Sequence, residues 1–224
     1  MKNIVKTITR IAVVYVLTTT MLTGCRIFGL EMQESYDYDY SAGMRNNQMN
    51  CTVWEFLLTH RSDFDYFVSA IEYAGMQNMY NDPNATYVVL RNNCFTSSTN
   101  GFFVLNYLFD ADGVVYTPST VRDYPIDVIR QLLLYHIVEG LWTHTNLPPG
   151  PTWYHSYADG ETAYVNLYMS KSSPPNIRFN DFVGHYVTGS TCVARTTNLQ
   201  ATSGAYMHIL NDFYMQQPTL DQLR

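Results

Sequence analysis

Lysine all but vanishes from this chain after its first residues: beyond Lys6 only Lys171 remains. With 19 acidic residues against 13 basic ones, the formal net charge is −6. A surface of that sign repels nucleic-acid phosphates and anionic lipid headgroups, which excludes polyanion binding through a basic patch. Cysteine is scarce too, with Cys25, Cys51, Cys94 and Cys192 as the full set. None of the six histidines stands beside a cysteine at zinc spacing. No apolar run reaches the roughly 20 residues that a membrane-spanning helix needs. A Gly-x-Ser-x-Gly elbow, a glycine-rich phosphate loop and a His-Glu-x-x-His pair are all missing. The sequence therefore offers no catalytic residue, metal ligand or cofactor site that a motif would announce.

What is present is apolar and aromatic. The chain is 46% hydrophobic and 15% aromatic, with 19 tyrosines. That suffices for one ordinary domain with a full core. Tyrosine buries a ring and keeps a polar tip, which suits strands with one wet face and binding surfaces alike.

The N-terminus has a separate logic. Lys2, Lys6 and Arg10 precede the apolar stretch IAVVYVLTTTML, the charged and apolar regions of a secretory signal. The stretch ends in Leu22-Thr23-Gly24-Cys25, which resembles the lipobox of bacterial lipoproteins. The resemblance implies that residues 1–24 are removed and that Cys25 becomes a lipid-modified N-terminus. Two or more acyl chains anchor a protein stably where one does not. Loss of residues 1–24 leaves 10 bases against 19 acids, a formal charge of −9. The membrane is thus expected as a partner through the lipid alone, in a bacterial cell envelope, at the outer membrane or cell surface.

Residues 25–50 are polar, acidic and without a sustained period, and read as a flexible tether. Glu31, Glu34, Asp37 and Asp39 form an acidic stretch there, a feature that directs export to the surface in some bacterial groups. Beyond Cys25 three cysteines remain, so at most one intramolecular disulfide can form, and buried free thiols are the preferred reading.

From residue 51 the pattern is that of a packed domain. Val53, Phe56, Leu57 and His60 fall at helical spacing. Ser62 reads as an N-cap for a second helix, with Phe64, Phe67, Val68 and Ile71 as its apolar stripe and Gly75 as its stop. Asp82-Pro83-Asn84 is a turn, and the β-branched run 85–90 a buried strand. Phe102–Phe109 fits a short helix or a hairpin arm, and Asp110–Gly113 is a plain turn rather than a calcium loop, since the closing acid is missing. Pro125 opens a further helix, and residues 135–144 read as a strand. After the rigid turn 147–151, the segments 152–158, 161–169, 176–179, 191–195 and 204–210 read as strands, with a hairpin at Asp159-Gly160. Helices first and strands after give an α+β domain.

Three of these segments, taken together, resemble the fasciclin domain family. The strand and turn ATYVVLRNNCF supplies Thr86, Asn92 and Phe95. The segment LLLYHIVEG supplies Tyr135, His136 and Gly140. The segment TSGAYMHILNDFYMQQP supplies Gly204, His208 and Pro218. It departs from the family pattern at Ser203 and by one extra residue before His208. The resemblance spans 51–218, leaves 219–224 as a C-terminal tail, and implies a wedge of strands flanked by helices. It also implies an extracellular or envelope adhesion module rather than an enzyme, and so favours binding.

Two binding readings follow. One is a protein or matrix partner in the envelope. The other is a neutral glycan, stacked on Trp142, Trp153, Tyr154 and Tyr157 of the segment LWTHTNLPPGPTWYHSY, as in an accessory lipoprotein of nutrient uptake. The same rings also suit a core beside the proline turn. His136 reads as a partly buried imidazole holding backbone together, rather than a catalytic or metal-binding one.

Overall fold

The computed structural model describes residues 26–27, 30–31, 47–172, 175–187 and 192–223. The chain divides into two units, 1–45 and 46–224. In the first, strand β1 (Arg26–Ile27) pairs antiparallel with β2 (Leu30–Glu31). Residues 1–25, with Cys25 and the signal segment, lie outside the described residues, as does most of the expected tether.

The second unit opens with helix α1 (Val53–Thr59). Thr52 and Glu55 form a reciprocal capping box at its start, each side chain accepting from the other's backbone N–H. Helix α2 (Arg61–Ala74) follows at once. Ser62 lies inside the first turn of α2 and is not its cap, because His60 already ends α1 and begins α2; Phe64 departs from helical geometry to let the chain bend there. Gly75 stops α2 in the left-handed region at φ 69°, so that its own N–H and that of Met76 reach back to the carbonyls of Glu72 and Ile71.

Strand β3 (Ala85–Leu90) is buried at every position, which explains its unbroken apolar run. It is the centre of a four-stranded sheet in the order β10-β11-β3-β6, with β6 at Ile137–Glu139, β10 at Thr196–Gln200 and β11 at Tyr206–Leu210. β3 and β11 are parallel, from Tyr206 opposite Thr86 to Leu210 opposite Leu90; the other pairings are antiparallel. A second, antiparallel sheet holds β7 (Thr152–His155), β8 (Tyr164–Met169) and β9 (Ile177–Phe179). The sheets meet where Tyr157 N–H bonds the Ile137 carbonyl and Val138 bridges Ser156.

The strand expected over 135–144 is confined to β6. Tyr135 ends helix α5 (Ile126–Tyr135), His136 caps it, and Gly140 at φ 91° turns the chain away. The strand expected at 191–195 is a single bridge, Val193 to Arg178, and the strand proper is β10 one step later. Residues 102–116 realise both expectations: a short helix α4 (Phe102–Leu105), then a hairpin of β4 (Leu108–Phe109) and β5 (Val115–Tyr116). A further short helix, α3 (Asn92–Thr96), lies between β3 and α4. The body reaches back past residue 51, for Met49 N–H bonds the Gln200 carbonyl and Gln200 N–H the Asn47 carbonyl.

Candidate interaction surfaces and the ties beneath them

The residues of the three motif segments are fasteners. Thr86 on β3 is fully buried; its hydroxyl donates to the Gly140 carbonyl at 2.7 Å and accepts from Trp142 N–H at 2.8 Å. Asn92 on α3 donates to the Ser62 carbonyl at 2.8 Å and accepts from Tyr66 N–H at 3.2 Å, which fastens α3 to α2. Phe95 is buried in an aromatic cluster with Tyr66, Phe102 and Phe103. Tyr135 donates to the Tyr164 carbonyl at 2.8 Å and accepts from Asn180 Nδ2 at 2.9 Å, linking α5 to the second sheet. Gly204 turns between β10 and β11 at φ 98°, a conformation that costs glycine little. Pro218 is buried.

The two motif histidines are the deepest ties. His136 is 1% exposed. Its Nδ1 faces the Leu132 carbonyl at 2.7 Å, and its Nε2 faces Met215 N–H at 3.0 Å. A carbonyl only accepts and an amide N–H only donates, so the ring carries its proton on Nδ1 and is neutral. His208 is equally buried and mirrors this arrangement: Nε2–H donates to the Trp142 carbonyl at 2.9 Å, and Nδ1 accepts from Asn198 N–H at 3.2 Å. Burial lowers both imidazoles to about 4, against the partial opposition of the carbonyl each ring donates to. Protonation would add a hydrogen that collides with an incoming N–H in each case.

An acid sensitivity follows. Both rings have a folded value below the ordinary 6.5, so the unfolded chain binds more protons between pH 6.5 and about 4. Their stabilising share is complete above pH 6.5 and drains as pH falls through that window. By pH 5.5 the two together should cost about 3 kcal/mol. Urea midpoints at pH 7.5 and 5.5 measure this, and midpoints unchanged across that interval would contradict it.

The four candidate glycan-contact aromatics separate into three places. Trp142 packs on Tyr154 with ring centroids 4.0 Å apart at 46°, and its indole N–H donates to the Glu139 carbonyl at 2.6 Å. Trp153 points to the other face of β7, paired with Asn166 of β8 and packed on Phe182 at 4.9 Å and 51°. Tyr157 donates to Asp82 Oδ2 at 2.7 Å. All four rings are half-buried, and Trp142, Tyr154 and Tyr157 rest against the core. The structure brings Trp142 and Tyr154 together and keeps Trp153 apart from both.

Among the described residues, no three His, Cys, Asp or Glu side chains gather as a metal-binding group. Cys51, Cys94 and Cys192 are free thiols; burial is the main cause that raises Cys94 and Cys192 to about 12. Thiols held so far above neutrality are poor nucleophiles.

Among the described residues, exposed apolar side chains gather at the β4–β5 hairpin. Phe109 is 62% exposed, Val114 61%, Val115 54% and Tyr107 52%. Other exposed apolar side chains, such as Leu58 and Val128, stand on separate elements. Sequence periodicity missed this surface, since an apolar run reads as core until its neighbours are known.

Neither a protein-family model nor a curated protein matches the sequence. Among solved structures, the chain is similar to a FAS1 domain pair from the insect cell adhesion molecule fasciclin I. The TM-score is 0.50 at 13% sequence identity, over 75% of this chain and 51% of that one. The chain thus spans about half the length of the structure that it resembles. A likeness at this identity speaks to the fold, and it agrees with the observed sheets and helices: the chain folds as a fasciclin-like α+β domain.

Proposed function

We propose that this protein is a lipid-anchored module of the bacterial cell envelope, held by Cys25 and working by binding a protein partner rather than by catalysis. The observation that carries the reading is the exposed hairpin, whose Tyr107, Phe109 and Val115 face solvent together on a strongly acidic chain. A contiguous apolar patch of this kind marks an interaction site. His136, His208 and Thr86 are occupied in holding backbone, which fits a scaffold for a surface better than a reaction centre. The fold likeness is to a cell adhesion molecule, and adhesion is taken here as a proposal for this chain.

A neutral glycan is the second reading, favoured by Trp153 and Phe182 on the side of β7 away from the core. Salt separates the two. An acidic protein that meets a basic partner associates more slowly as salt screens the charge, whereas ring stacking on a neutral sugar is insensitive to it. The test is pull-down from envelope extracts at low and high salt, beside a glycan array on the same protein. A protein captured at low salt and lost at high salt is expected. An array signal that survives high salt and disappears in Trp153→Ala would establish the glycan reading instead.

A further inference from the structure

The geometry of the β4–β5 hairpin narrows what it can bind. Phe109 pairs with Val115 on the outward side, and Tyr107 packs edge-on against Phe109 at 5.8 Å; Leu108 packs against the core. Each strand of this hairpin bonds only the other, so no third strand covers either outer edge among the described residues. Directly after β5, Thr117, Pro118 and Ser119 line a groove of about 210 Å³ with Tyr66, Phe95 and Phe103. The turn at the hairpin tip holds Asp110 and Asp112. Asp110 Oδ1 accepts from the Asp112 and Val114 N–H groups at 2.9 and 2.8 Å, which fixes the turn.

Resting on the protein-binding reading, we propose that the hairpin and this groove dock an extended segment of another protein, one that alternates apolar residues with Lys or Arg. The segment adds to the hairpin as a third strand and sets one apolar side chain in the groove. Three features select this occupant. A sheet edge supplies main-chain donors and acceptors to a strand of any sequence. The outward Tyr107, Phe109 and Val115 call for apolar side chains at every second position of the added strand. The carboxylates of Asp110 and Asp112, on a chain of net negative charge, call for cations at the remaining positions. A second copy brings the same negative charge to the contact and is disfavoured by it. An anionic lipid surface would have to accept two carboxylates at the leading turn.

The test uses the purified full-length protein and three fluorescent probe peptides, titrated by anisotropy at low salt. One alternates Lys and Val, one alternates Glu and Val, and one is the Lys-Val peptide interrupted by proline. The Lys-Val peptide should bind best. The other two should be weaker by about tenfold or more, the first through charge and the second through lost strand pairing. Phe109→Ser with Val115→Ser should weaken the Lys-Val peptide by about tenfold, and Asp112→Asn by about threefold. These side chains are exposed, so the variants should stay folded, which circular dichroism checks. Equal binding of the Lys-Val and Glu-Val peptides, or unchanged binding by the double variant, would overturn the assignment. So would a wild-type dimer in sedimentation that the double variant abolishes, since the occupant would then be a second copy. If the double variant still captures the envelope partner while peptide binding fails, the hairpin assignment falls and the protein-binding reading stands. If the wild type captures only a glycan, both fall.

Discussion

Replacing Cys25 with alanine should move the protein from the membrane to the soluble fraction and abolish its labelling by radioactive palmitate. The apolar stretch before Cys25 is shorter than a bilayer span requires. No helix among the described residues is long and apolar enough to cross a membrane. The chain after Cys25 is acidic, with Lys171 as its sole lysine, so anionic headgroups repel rather than retain it. The acyl chains on Cys25 would then be the whole anchor, and removal of their attachment atom would leave nothing of comparable strength. A variant that remains membrane-bound, or a wild-type protein that takes no label, would contradict the lipid anchor.

His136→Ala should lower stability by about 3–5 kcal/mol, or about 10–15 °C in melting temperature for a domain of this size. Two terms add. The ring is fully enclosed, so its loss opens a cavity. Met215 N–H, which donates to Nε2 from 79 positions away, would be left buried without its acceptor. The exposed His60, which caps the bend between α1 and α2 and stacks on Phe56, is the control. His60→Ala should cost well under half as much, because the lost contact lies in water. Differential scanning calorimetry compares them, and a melting temperature for His136→Ala within a degree or two of wild type would remove His136 from the structural frame.

Much of this fold is legible along the chain, for reasons that are local. Gly75 ends α2 because a left-handed cap needs no side chain, and glycine following a periodic stripe announces it. The run 85–90 announces a strand buried on both faces by having no polar alternation. The capping box of Thr52 and Glu55 is equally local, since Thr-x-x-Glu before an apolar stripe is its signature, whereas Ser62 has the residue type of a cap but lies inside α2 because α1 runs into α2 at His60. β10 is harder. Its sequence TTNLQ is polar and it lies at the sheet edge, where only one side needs covering.

The ties that give the motif residues their roles are not local at all. Asn180 reaches Tyr135 across 45 positions, and His208 reaches Trp142 across 66. Asn180 itself sits at φ 51°, which no feature of NIRFN predicts. The hairpin surface is the converse case. Phe102 and Phe103 are buried while Tyr107 and Phe109 are exposed, and the packing of α4 against Tyr66, Phe95, Tyr124 and Tyr214 separates the two halves of one apolar run. The expected aromatic platform divides for a related reason: strand alternation sends Trp153 and Tyr154 to opposite faces of β7.

An envelope protein that binds another protein through its hairpin should be open to crosslinking at that hairpin in the living cell. A photoreactive amino acid in place of Val114, which is 61% exposed, samples the hairpin tip; the same group in place of Trp153 samples the other candidate surface. The expected result is a discrete adduct from position 114 that protease digests, glycosidase leaves intact and position 153 does not form. An adduct formed only at position 153 and removed by glycosidase, with none at 114, would contradict it.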